Sequence, residues 1–564
     1  MTSGGARAGP DRSWWKEAVV YQIYPRSFND ADGDGIGDLR GITERVDYLD
    51  DLGVDVVWLC PVYDSPQADN GYDVRDYRAI DPEFGTMTQW ETLRSALHDR
   101  DIRLVMDLVV NHTSSEHEWF QRSRREEAEY AGYYHWHDGD PDDPPNNWQS
   151  FFGGPAWSYD ETRGEWYLHL FHENQPDLNW RNPRVRESIT EMIEWWLEKE
   201  IDGFRMDAVN LLSKPGGYPD GDPDTDLVGA SHFFNGPRLE EYLREIVETL
   251  SGYDVMTVAE MSNTDVDTAA DYLGDGVGLG MLFQSAHLEL DTGPDGLWDP
   301  NGPDEIDLPA FKRVIGRWQT GLQNRGWNAV FLGNHDQPRI VSRFGDDGKD
   351  RRESATLLAT FLLTLSGTPY IYQGDEIGMT NEEFDGLDGI DDIGTIGAVE
   401  ELIDRGRIDA VAEAEHLINY WSRDHARTPM QWSDDAHAGF TDGEPWFPVN
   451  DNYRAINVDR ERGHEDSIWQ YYRRLIDLRH RHDILVYGEY ELYLPDHPDI
   501  YAYTRTLEDD RALVVLNWAE TATEIEGPLP EAESMDLVTS NYDDTATPPH
   551  GAVFRPYEAA VYWA

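Results

Sequence analysis

Short apolar runs alternate with amphipathic stretches along most of the chain. The runs are rich in β-branched residues, and the stretches between them, such as 185–199, repeat apolar residues at helical spacing. Strands that alternate with helices in this way form parallel sheets. The predicted strands are 18–25, 54–61, 102–111, 201–208, 255–261, 280–286, 329–334 and 367–374. Eight such strands close a barrel, so the pattern predicts a (β/α)8 TIM barrel of the α/β class.

Two interruptions and one change of pattern divide the chain further. A segment rich in Trp, Pro and Gly follows the third predicted strand, and an acidic stretch near 378–425 follows the eighth. From about 486 the pattern changes to short strands, which predicts a C-terminal antiparallel β-sandwich. We therefore predict a barrel in two parts, 12–111 and 177–485, an inserted domain after strand 3 at 112–176, and the sandwich at 486–564.

Polar side chains gather at the C-terminal ends of four predicted strands. In a barrel of this kind those ends form one mouth, where catalytic groups sit. We therefore expect the titratable side chains at these positions to converge on one site. They are Asp107, Asn111 and His112 on the third strand, Arg205 and Asp207 on the fourth, Glu260 on the fifth, and His335 and Asp336 on the seventh.

The fourth and fifth strand ends offer the carboxyl pair that breaks a glycosidic bond with retention. Such a pair lies about 5 Å apart, close to the roughly 4.8 Å between neighbouring strands. Arg205 and Asp207 face the same side, so we expect the arginine to lower the pKa of Asp207, as suits a nucleophile. We expect burial and neighbouring carboxylates to raise the pKa of Glu260, as suits an acid.

Three further residues at the mouth can hold a sugar ring. Asp336 can accept hydrogen bonds from sugar hydroxyls that strengthen as the ring distorts toward an oxocarbenium ion. His112 and His335 can donate to hydroxyls of the same ring. The predicted chemistry is therefore hydrolysis of a glycoside.

The charge balance changes what the molecule can bind. Aspartate and glutamate number 110 against 46 lysines and arginines, giving a net charge of −64 that is spread through the chain. A surface this negative repels phosphate, which excludes nucleic acid as a partner. Self-repulsion destabilises a compact chain in dilute buffer, whereas molar salt shortens the Debye length to about 3 Å. The composition is typical of proteins from halophilic organisms.

The apolar pattern also bears on location. No run of about 18 apolar residues occurs, so we predict no membrane span and no membrane partner. The first residues contain no apolar signal core, so we expect a cytoplasmic protein. We expect a monomer or a homodimer whose partner is a small oligosaccharide.

Several motifs together resemble the α-amylase family of glycoside hydrolases, family 13, and its oligo-1,6-glucosidase and α-glucosidase group. Segments 107–112 (DLVVNH), 203–210 (GFRMDAVN), 257–261 (TVAEM) and 331–339 (FLGNHDQPR) are similar to four well-known segments of the family. Further matches are 19–28 (VVYQIYPRSF), 70–77 (NGYDVRDY), 175–180 (QPDLNW) and 425–432 (HARTPMQW). The resemblance runs from about residue 14 to the end.

The resemblance implies a role for each matching residue. Asp207 would be the nucleophile, Glu260 the acid/base and Asp336 the transition-state stabiliser of a double displacement. An Asp–Arg pair closing the site would make it a pocket for chain ends. The residues implied to bind the nonreducing glucose or line its pocket are Asp73, His112, Phe152, Phe171, Gln175, Arg205, His335 and Arg427.

The residue after the predicted nucleophile bears on linkage. In this group valine usually accompanies α-1,6 activity and threonine α-1,4 activity, whereas this chain has Ala208. A smaller side chain removes a steric filter, so we expect broad acceptance with maltose-type α-1,4 substrates favoured, by a discrimination of only about 1–3 kcal/mol. The alternative is an isomaltose-type oligo-1,6-glucosidase.

An acidic loop after the first predicted strand indicates a metal site. Carboxylates alternate with glycine or alanine at Asp30, Asp32, Asp34 and Asp38, with the Ile36 carbonyl at the seventh position. The glutamate that ends an EF-hand loop is missing, so the site is not an EF-hand. The resemblance implies one structural calcium ion here, with magnesium as the alternative ion.

Other functions stay open on the same site. A trehalose synthase, a sucrose isomerase or a transglucosylating enzyme would share the covalent glucosyl intermediate and differ in what attacks it. A non-enzymatic transporter subunit would carry a membrane helix and lack the catalytic carboxylates, all three of which are present here. An endo-acting amylase would lack the 175–180 form of the fifth segment.

Overall fold

A computed structural model describes residues 12–274, 276–294, 296–530, 534–547 and 549–564. Eight parallel strands form a closed barrel, as predicted. Around the barrel the order is β1, β8, β7, β6, β5, β4, β3 and β2, so neighbours in sequence are neighbours in space. The strands are β1 Val20–Ile23, β2 Val56–Leu59, β3 Arg103–Val109, β4 Gly203–Asp207, β5 Met256–Glu260, β6 Met281–Phe283, β7 Asn328–Val330 and β8 Thr368–Tyr372.

Alternate residues of each strand face the barrel interior and the surrounding helices. On β4, Phe204 and Met206 pack into the outer core between strands and helices. Arg205 and Asp207 therefore face inward. The same alternation places Val258 in the barrel interior, and two residues further on it places Glu260 at the mouth. The interior thus changes from apolar to charged where the strands end.

Helices cover the outside of the barrel and bury their apolar faces against it. Pro183–Leu197, for example, begins at the capping side chain of Asn182, has proline at its first turn and buries Ile189, Ile193 and Trp196. The longer helices packed around the barrel are Met87–His98, Pro183–Leu197, Leu239–Leu250, Leu308–Gly321, Arg351–Thr364 and Ile468–Arg481. The shorter ones are Trp14–Glu17, Leu39–Glu44, Val46–Leu52, Glu118–Ser123, Ala230–Phe233, Val266–Tyr272, Ile340–Phe344, Val458–Arg462 and Asp483–Tyr487.

The segment between β3 and β4 folds over the mouth of the barrel. Its centre is a three-stranded antiparallel sheet of Trp136–His137, Glu165–Leu168 and Trp157–Asp160. Isolated bridges join His112 to Asp177 and Tyr134 to Leu178, which ties the two ends of this segment together. A short antiparallel pair, Tyr63–Asp64 and Asp76–Ile80, lies in the loop after β2.

The acidic stretch after β8 forms a second insertion, which is helical. It contains the helices Ile393–Asp404, Glu415–Trp421 and Asp424–Arg427 around a small apolar cluster of its own. The helix Ile393–Asp404 begins at Asp392, whose carboxylate accepts a hydrogen bond from the Gly394 amide at 2.9 Å.

The C-terminal part is an antiparallel β domain. Its five strands run in the order Glu489–Tyr493, Ile500–Leu507, Asp510–Asn517, Ala559–Trp563 and Asp536–Ser540. A two-stranded ribbon, Thr523–Glu524 with Val553–Phe554, packs over one face through Ile525 and Phe554. The opposite face meets the barrel helix Arg351–Thr364, for example where Thr364 meets Tyr503 at 2.5 Å. Among the described residues, no helix has the length and apolar character needed to cross a membrane.

Candidate active site

One guanidinium joins the carboxylates of three neighbouring strands. Arg205 Nη1 donates to Asp107 at 2.7 Å and to Asp207 at 2.5 Å, and its Nη2 donates to Glu260. The indole of Trp58 packs 5.1 Å from the guanidinium and donates to the second oxygen of Asp107 at 2.7 Å. Asp107 is fully buried, whereas the Asp207 and Glu260 side chains are 9% and 33% exposed. The latter two therefore face the mouth.

Strand register explains why these groups meet. Asp107 lies opposite Arg205 on the neighbouring strands β3 and β4. Met206 lies opposite Ala259 on β4 and β5, so the residues that follow them, Asp207 and Glu260, leave the barrel at the same level. The Ala208 amide lies 3.4 Å from Glu260 Oε2.

Burial controls the ionisation of the pair. It raises the pKa of Glu260 to about 7, helped by the charges of Asp207 and Asp336 and opposed by Arg205, in the direction expected from the sequence. It also raises the pKa of Asp207 to about 7, since loss of solvent outweighs the attraction of Arg205. The expected lowering of the Asp207 pKa is therefore wrong. One arginine is shared among three buried carboxylates and cannot offset desolvation for each of them.

Asp336 has a different environment. Its carboxylate lies 3.1 Å from His335 Nε2, 3.2 Å from Arg423 and 3.1 Å from Arg427. Burial alone would raise the pKa of Asp336, but His335 and the two arginines hold it below its usual range. His335 is itself fixed by a 2.8 Å contact between its Nδ1 and Gln22 Nε2. Asp336 is therefore an anion over the accessible pH range.

An Asp–Arg pair lies beside Asp336 at one end of the site. Asp69 lies 3.5 Å from Arg423, and its other oxygen accepts a hydrogen bond from Gln175 at 3.0 Å. The same Gln175 amide lies 3.1 Å from His112 Nε2, which also contacts the Tyr72 carbonyl at 3.1 Å. An Asp–Arg pair of the kind that the resemblance implies is thus present, and its closing of a pocket stays a prediction.

Asp73 does not lie in this group. Its carboxylate accepts hydrogen bonds from Ser65 Oγ and from the amides of Ala68 and Asp69, at 2.9, 2.9 and 3.0 Å. These bonds fix the turn that presents Asp69. The expectation that Asp73 contacts the sugar is therefore wrong, because its oxygens are spent on its own loop.

Aromatic rings line the rest of the site. Tyr72 stacks on His335 at 5.3 Å between ring centres, and Phe171 lies 5.0 Å from the His112 ring. Phe152 lies 5.9 Å from Phe171. Both phenylalanines thus pack on the His112 side of the site, and their contact with a sugar stays a prediction.

Sequence reasoning missed three residues of the site. Asp69 directly precedes the 70–77 motif that contains Tyr72 and Asp73, and Asn70 and Gly71 form the turn between Asp69 and Tyr72. Arg423 lies four residues before Arg427, at the other end of a short helix, and carried no signal of its own. The structure brings together all the other predicted substrate residues.

The acidic loop after β1 gathers some of its carboxylates. Oxygens of Asp30, Asp32 and Asp38 all lie within 4.8 Å of one another. The loop winds around Asp30, which accepts from the amides of Asp32, Gly33 and Gly35 at 2.7–2.9 Å. Asp34 lies outside this group of three and is exposed. Three carboxylates at this spacing are a donor set that fits a hard divalent cation.

The chain shows extensive similarity to known proteins. Residues 22–488 match the catalytic domain of α-amylase and residues 490–558 the C-terminal domain of maltogenic amylase. An oligo-1,6-glucosidase of Parageobacillus thermoglucosidasius is 51% identical over 562 residues, covering 98% of this chain and 99% of that protein.

Solved structures agree with this match. An isomaltulose synthase from Klebsiella sp. LX3 has a TM-score of 0.94 at 42% identity, covering 99% of this chain and all of that one. A trehalose-6-phosphate hydrolase of Bacillus licheniformis has a TM-score of 0.91 at 44% identity, covering 98% and 100%. With its closed barrel and carboxylate-lined mouth, the chain belongs to the α-amylase family of glycoside hydrolases and is an enzyme with the retaining mechanism general to that family.

Proposed function

We propose that this enzyme is an exo-acting α-glucosidase that releases glucose from the nonreducing end of short α-glucosides, with isomaltose-type α-1,6 linkages favoured. The observation that carries the proposal is the Asp69–Arg423 pair, which closes one end of the site. A closed end accommodates a chain terminus and excludes the middle of a polymer. The α-1,6 preference is supported by the full-length similarity to oligo-1,6-glucosidases.

In the proposed reaction the carboxyl pair acts twice. Asp207 attacks the anomeric carbon of the terminal glucose while Glu260 donates its proton to the glycosidic oxygen, which leaves on the aglycone. A glucosyl ester of Asp207 results. Glu260, now ionised, takes a proton from a water molecule, whose oxygen attacks the same carbon and releases glucose and the free Asp207 carboxylate.

The surrounding residues hold the sugar. Asp336 stays ionised and accepts hydrogen bonds from ring hydroxyls, which strengthen as the ring flattens. Asp69, Arg423 and His112 recognise hydroxyls far from the scissile bond, at the closed end. Phe152 and Phe171 lie beside Arg423 and His112 and cover apolar faces of the substrate at the same end.

We infer that the acidic loop after β1 binds one calcium ion through Asp30, Asp32 and Asp38, with the carbonyl of Ile36 as a further ligand. Bound there, the ion neutralises crowded carboxylates and braces the loop, and it takes no part in bond breaking. The group of three carboxylates supports this assignment.

A preference for α-1,4 linkages is the second candidate. Ala208 packs against the inserted domain beside Phe151 and Phe171 and is smaller than valine or threonine. Its amide lies next to Glu260, so its side chain borders the position of the leaving group. Transfer of the glucosyl group to a sugar is the third, since isomaltulose synthases share the whole fold.

A substrate panel in molar salt tests the proposal. It contains isomaltose, maltose, sucrose, trehalose, trehalose 6-phosphate and starch, and the products are identified at low and high substrate concentration. We expect isomaltose to give the highest kcat/KM, glucose to be the released product and starch to be a poor substrate. Faster cleavage of maltose would favour the second candidate, and internal cleavage of starch would overturn exo action.

The mechanism is tested by replacing the nucleophile. Asp207→Ala should abolish turnover of every substrate, because no covalent intermediate can form. Asp307→Ala is the matched control, since Asp307 caps an outer barrel helix by accepting from the Ala310 amide and lies on the solvent side. Retained turnover in Asp207→Ala would contradict the assignment.

A further inference from the structure

Arg423 is the residue on which the closed end of the pocket depends. The Arg423 guanidinium lies 3.2 Å from Asp336 and 3.5 Å from Asp69. Its central carbon, Cζ, lies 5.1 Å from the centre of the Phe152 ring. A long arginine side chain has many rotamers, and Arg427 places a second positive charge beside it. Something must therefore hold Arg423 between the two pocket acids.

Asp392 supplies that restraint from outside the pocket. Its Oδ1 accepts from Arg423 Nε at 2.7 Å and lies 2.6 Å from Arg423 Nη2, while its Oδ2 accepts from the Arg423 amide at 3.1 Å. Thr395 Oγ1 donates to the same Oδ2 at 2.6 Å. The Asp392 side chain is only 2% exposed, so no solvent competes for it. Both its oxygens are directed at one arginine.

Asp392 lies where the inserted domain between β3 and β4 meets the helical segment that follows β8. It caps the helix Ile393–Asp404, whose glycines press against the inserted domain. A Cβ at Gly397 would lie 2.2 Å from the carbonyl oxygen of Phe152, and one at Gly394 would lie 3.5 Å from the Phe152 ring. The helix that Asp392 caps thus packs on Phe152, while Asp392 itself holds Arg423.

We propose that Asp392 is a positioning residue for glucose recognition: it holds Arg423 against Asp69 and Asp336 and so fixes the closed end of the pocket. It contacts no substrate and acts through the arginine. The inference rests on the proposed exo-glucosidase function, because it assigns the arginine to the terminal glucose.

Asp392→Asn separates this role from the capping of the helix. Asparagine caps a helix as well as aspartate does, so the fold and the Gly394 contact survive, while the charge that holds Arg423 is lost. We expect KM for the best substrate and the inhibition constant for free glucose to rise together, by about tenfold or more, with a smaller fall in kcat. Tm should fall by several degrees, because Arg423 loses a buried partner of opposite charge. The inhibition constant for glucose matters because it reports binding in the ground state, with no contribution from the bond-breaking step.

The matched control is Asp307→Asn. Asp307 also caps a helix and also lies near an arginine, 3.5 Å from Arg313, but on the outer surface. We expect its KM, glucose inhibition and Tm to equal those of the wild type in the same molar salt. An equal rise of KM in both variants would overturn the proposal, because the loss would then not depend on Arg423.

A double-mutant cycle tests whether Asp392 acts through Arg423. Arg423→Lys keeps the charge but cannot make the two-nitrogen contact with Asp392. If Asp392 works only by holding the arginine, Asp392→Asn should add little to the KM and glucose effects of Arg423→Lys. Independent, multiplying effects would overturn the proposal. An inactive wild type on the whole panel would instead overturn the proposed function, so the two failures are distinct.

Discussion

At the scale of single residues, Arg205 decides how the carboxyl pair shares a proton. It donates to both Asp207 and Glu260, and burial raises the pKa of each to about 7. Two acids this close titrate together, so the first proton leaves the pair below that value and the second above it. The active form carries one proton and is most populated near neutral pH.

The pair therefore predicts a bell-shaped pH profile of kcat/KM centred near pH 7. As the pH falls, Asp207 gains a proton and loses its nucleophilicity. As the pH rises, Glu260 loses the proton that the leaving group needs. Steady-state rates between pH 4 and 10 check this.

The alkaline limb has its own control. The leaving group of an aryl glucoside needs no proton. With this substrate, kcat/KM of Glu260→Gln should therefore no longer fall at high pH. A profile for the wild type that stays flat above pH 8 on isomaltose would contradict the assignment of Glu260.

Ala208 predicts a shift of linkage preference. Ala208→Val should raise the ratio of kcat/KM for isomaltose over maltose, by about tenfold, because a branched side chain narrows the space beside the leaving group. Ala208→Gly is the control, since Ala208 has a φ of 43° and glycine adopts this left-handed backbone without a steric cost. The control should keep the wild-type ratio, and an unchanged ratio in Ala208→Val would show that position 208 does not select the linkage.

At the scale of elements, the loop after β1 is joined to a distant segment. Thr441 Oγ1 donates to Asp30 Oδ2 at 2.5 Å, and the Trp446 amide donates to the Gly35 carbonyl at 2.9 Å. Ser27, just before the loop, donates to the carbonyl of Arg427 at 2.5 Å. A cation in the loop would thus brace the segment that carries a pocket arginine.

Calcium should accordingly stabilise the protein. We expect a chelator to lower Tm by several degrees and added calcium to restore it, because an ion bound only to the folded state shifts unfolding. Asp32→Ala should lose most of this response, whereas Asp34→Ala, outside the group of three carboxylates, should keep it. Differential scanning calorimetry with and without calcium measures the response, and equal responses in the two variants would refute the ligand set.

At the scale of the whole molecule, the net charge of −64 governs how stability depends on salt. Acidic side chains outnumber basic ones by 110 to 46, so the excess carboxylates repel one another across the fold. Salt shortens the reach of that repulsion from about 10 Å at 0.1 M to about 3 Å at 1 M. The folded state gains most from this screening because it is the compact one.

Thermal stability should therefore rise with salt. We expect Tm to increase steeply between 0.1 and 1 M KCl and more slowly above, as screening saturates. Sucrose, which stabilises by exclusion from the surface without screening charge, is the control and should give no comparable early rise. A Tm that falls or stays level with KCl would contradict the role of self-repulsion.

Much of the fold could be predicted from the sequence, because the patterns that predict it involve residues close together in the chain. Seven of the eight barrel strands lie within a predicted run, β7 begins one residue before its run, and the change from Val258 to Glu260 at a strand end already located the mouth. The motif around Asp73 located the right loop but the wrong carboxylate. Which oxygen faces the sugar depends on the turn, and the turn depends on the bonds that Asp73 makes to it.

The sequence by itself determined the barrel, the carboxyl pair and the charge, since periodicity, motif spacing and composition are properties of neighbours along the chain. Only the tertiary structure decided that Asp207 has a raised pKa, because burial depends on what covers a group. Only it joined Asp392 to Arg423 and Arg423 to Asp69. Asp392 and Arg423 are 31 residues apart, and Asp69 lies hundreds of residues before Arg423, so no local pattern records these contacts.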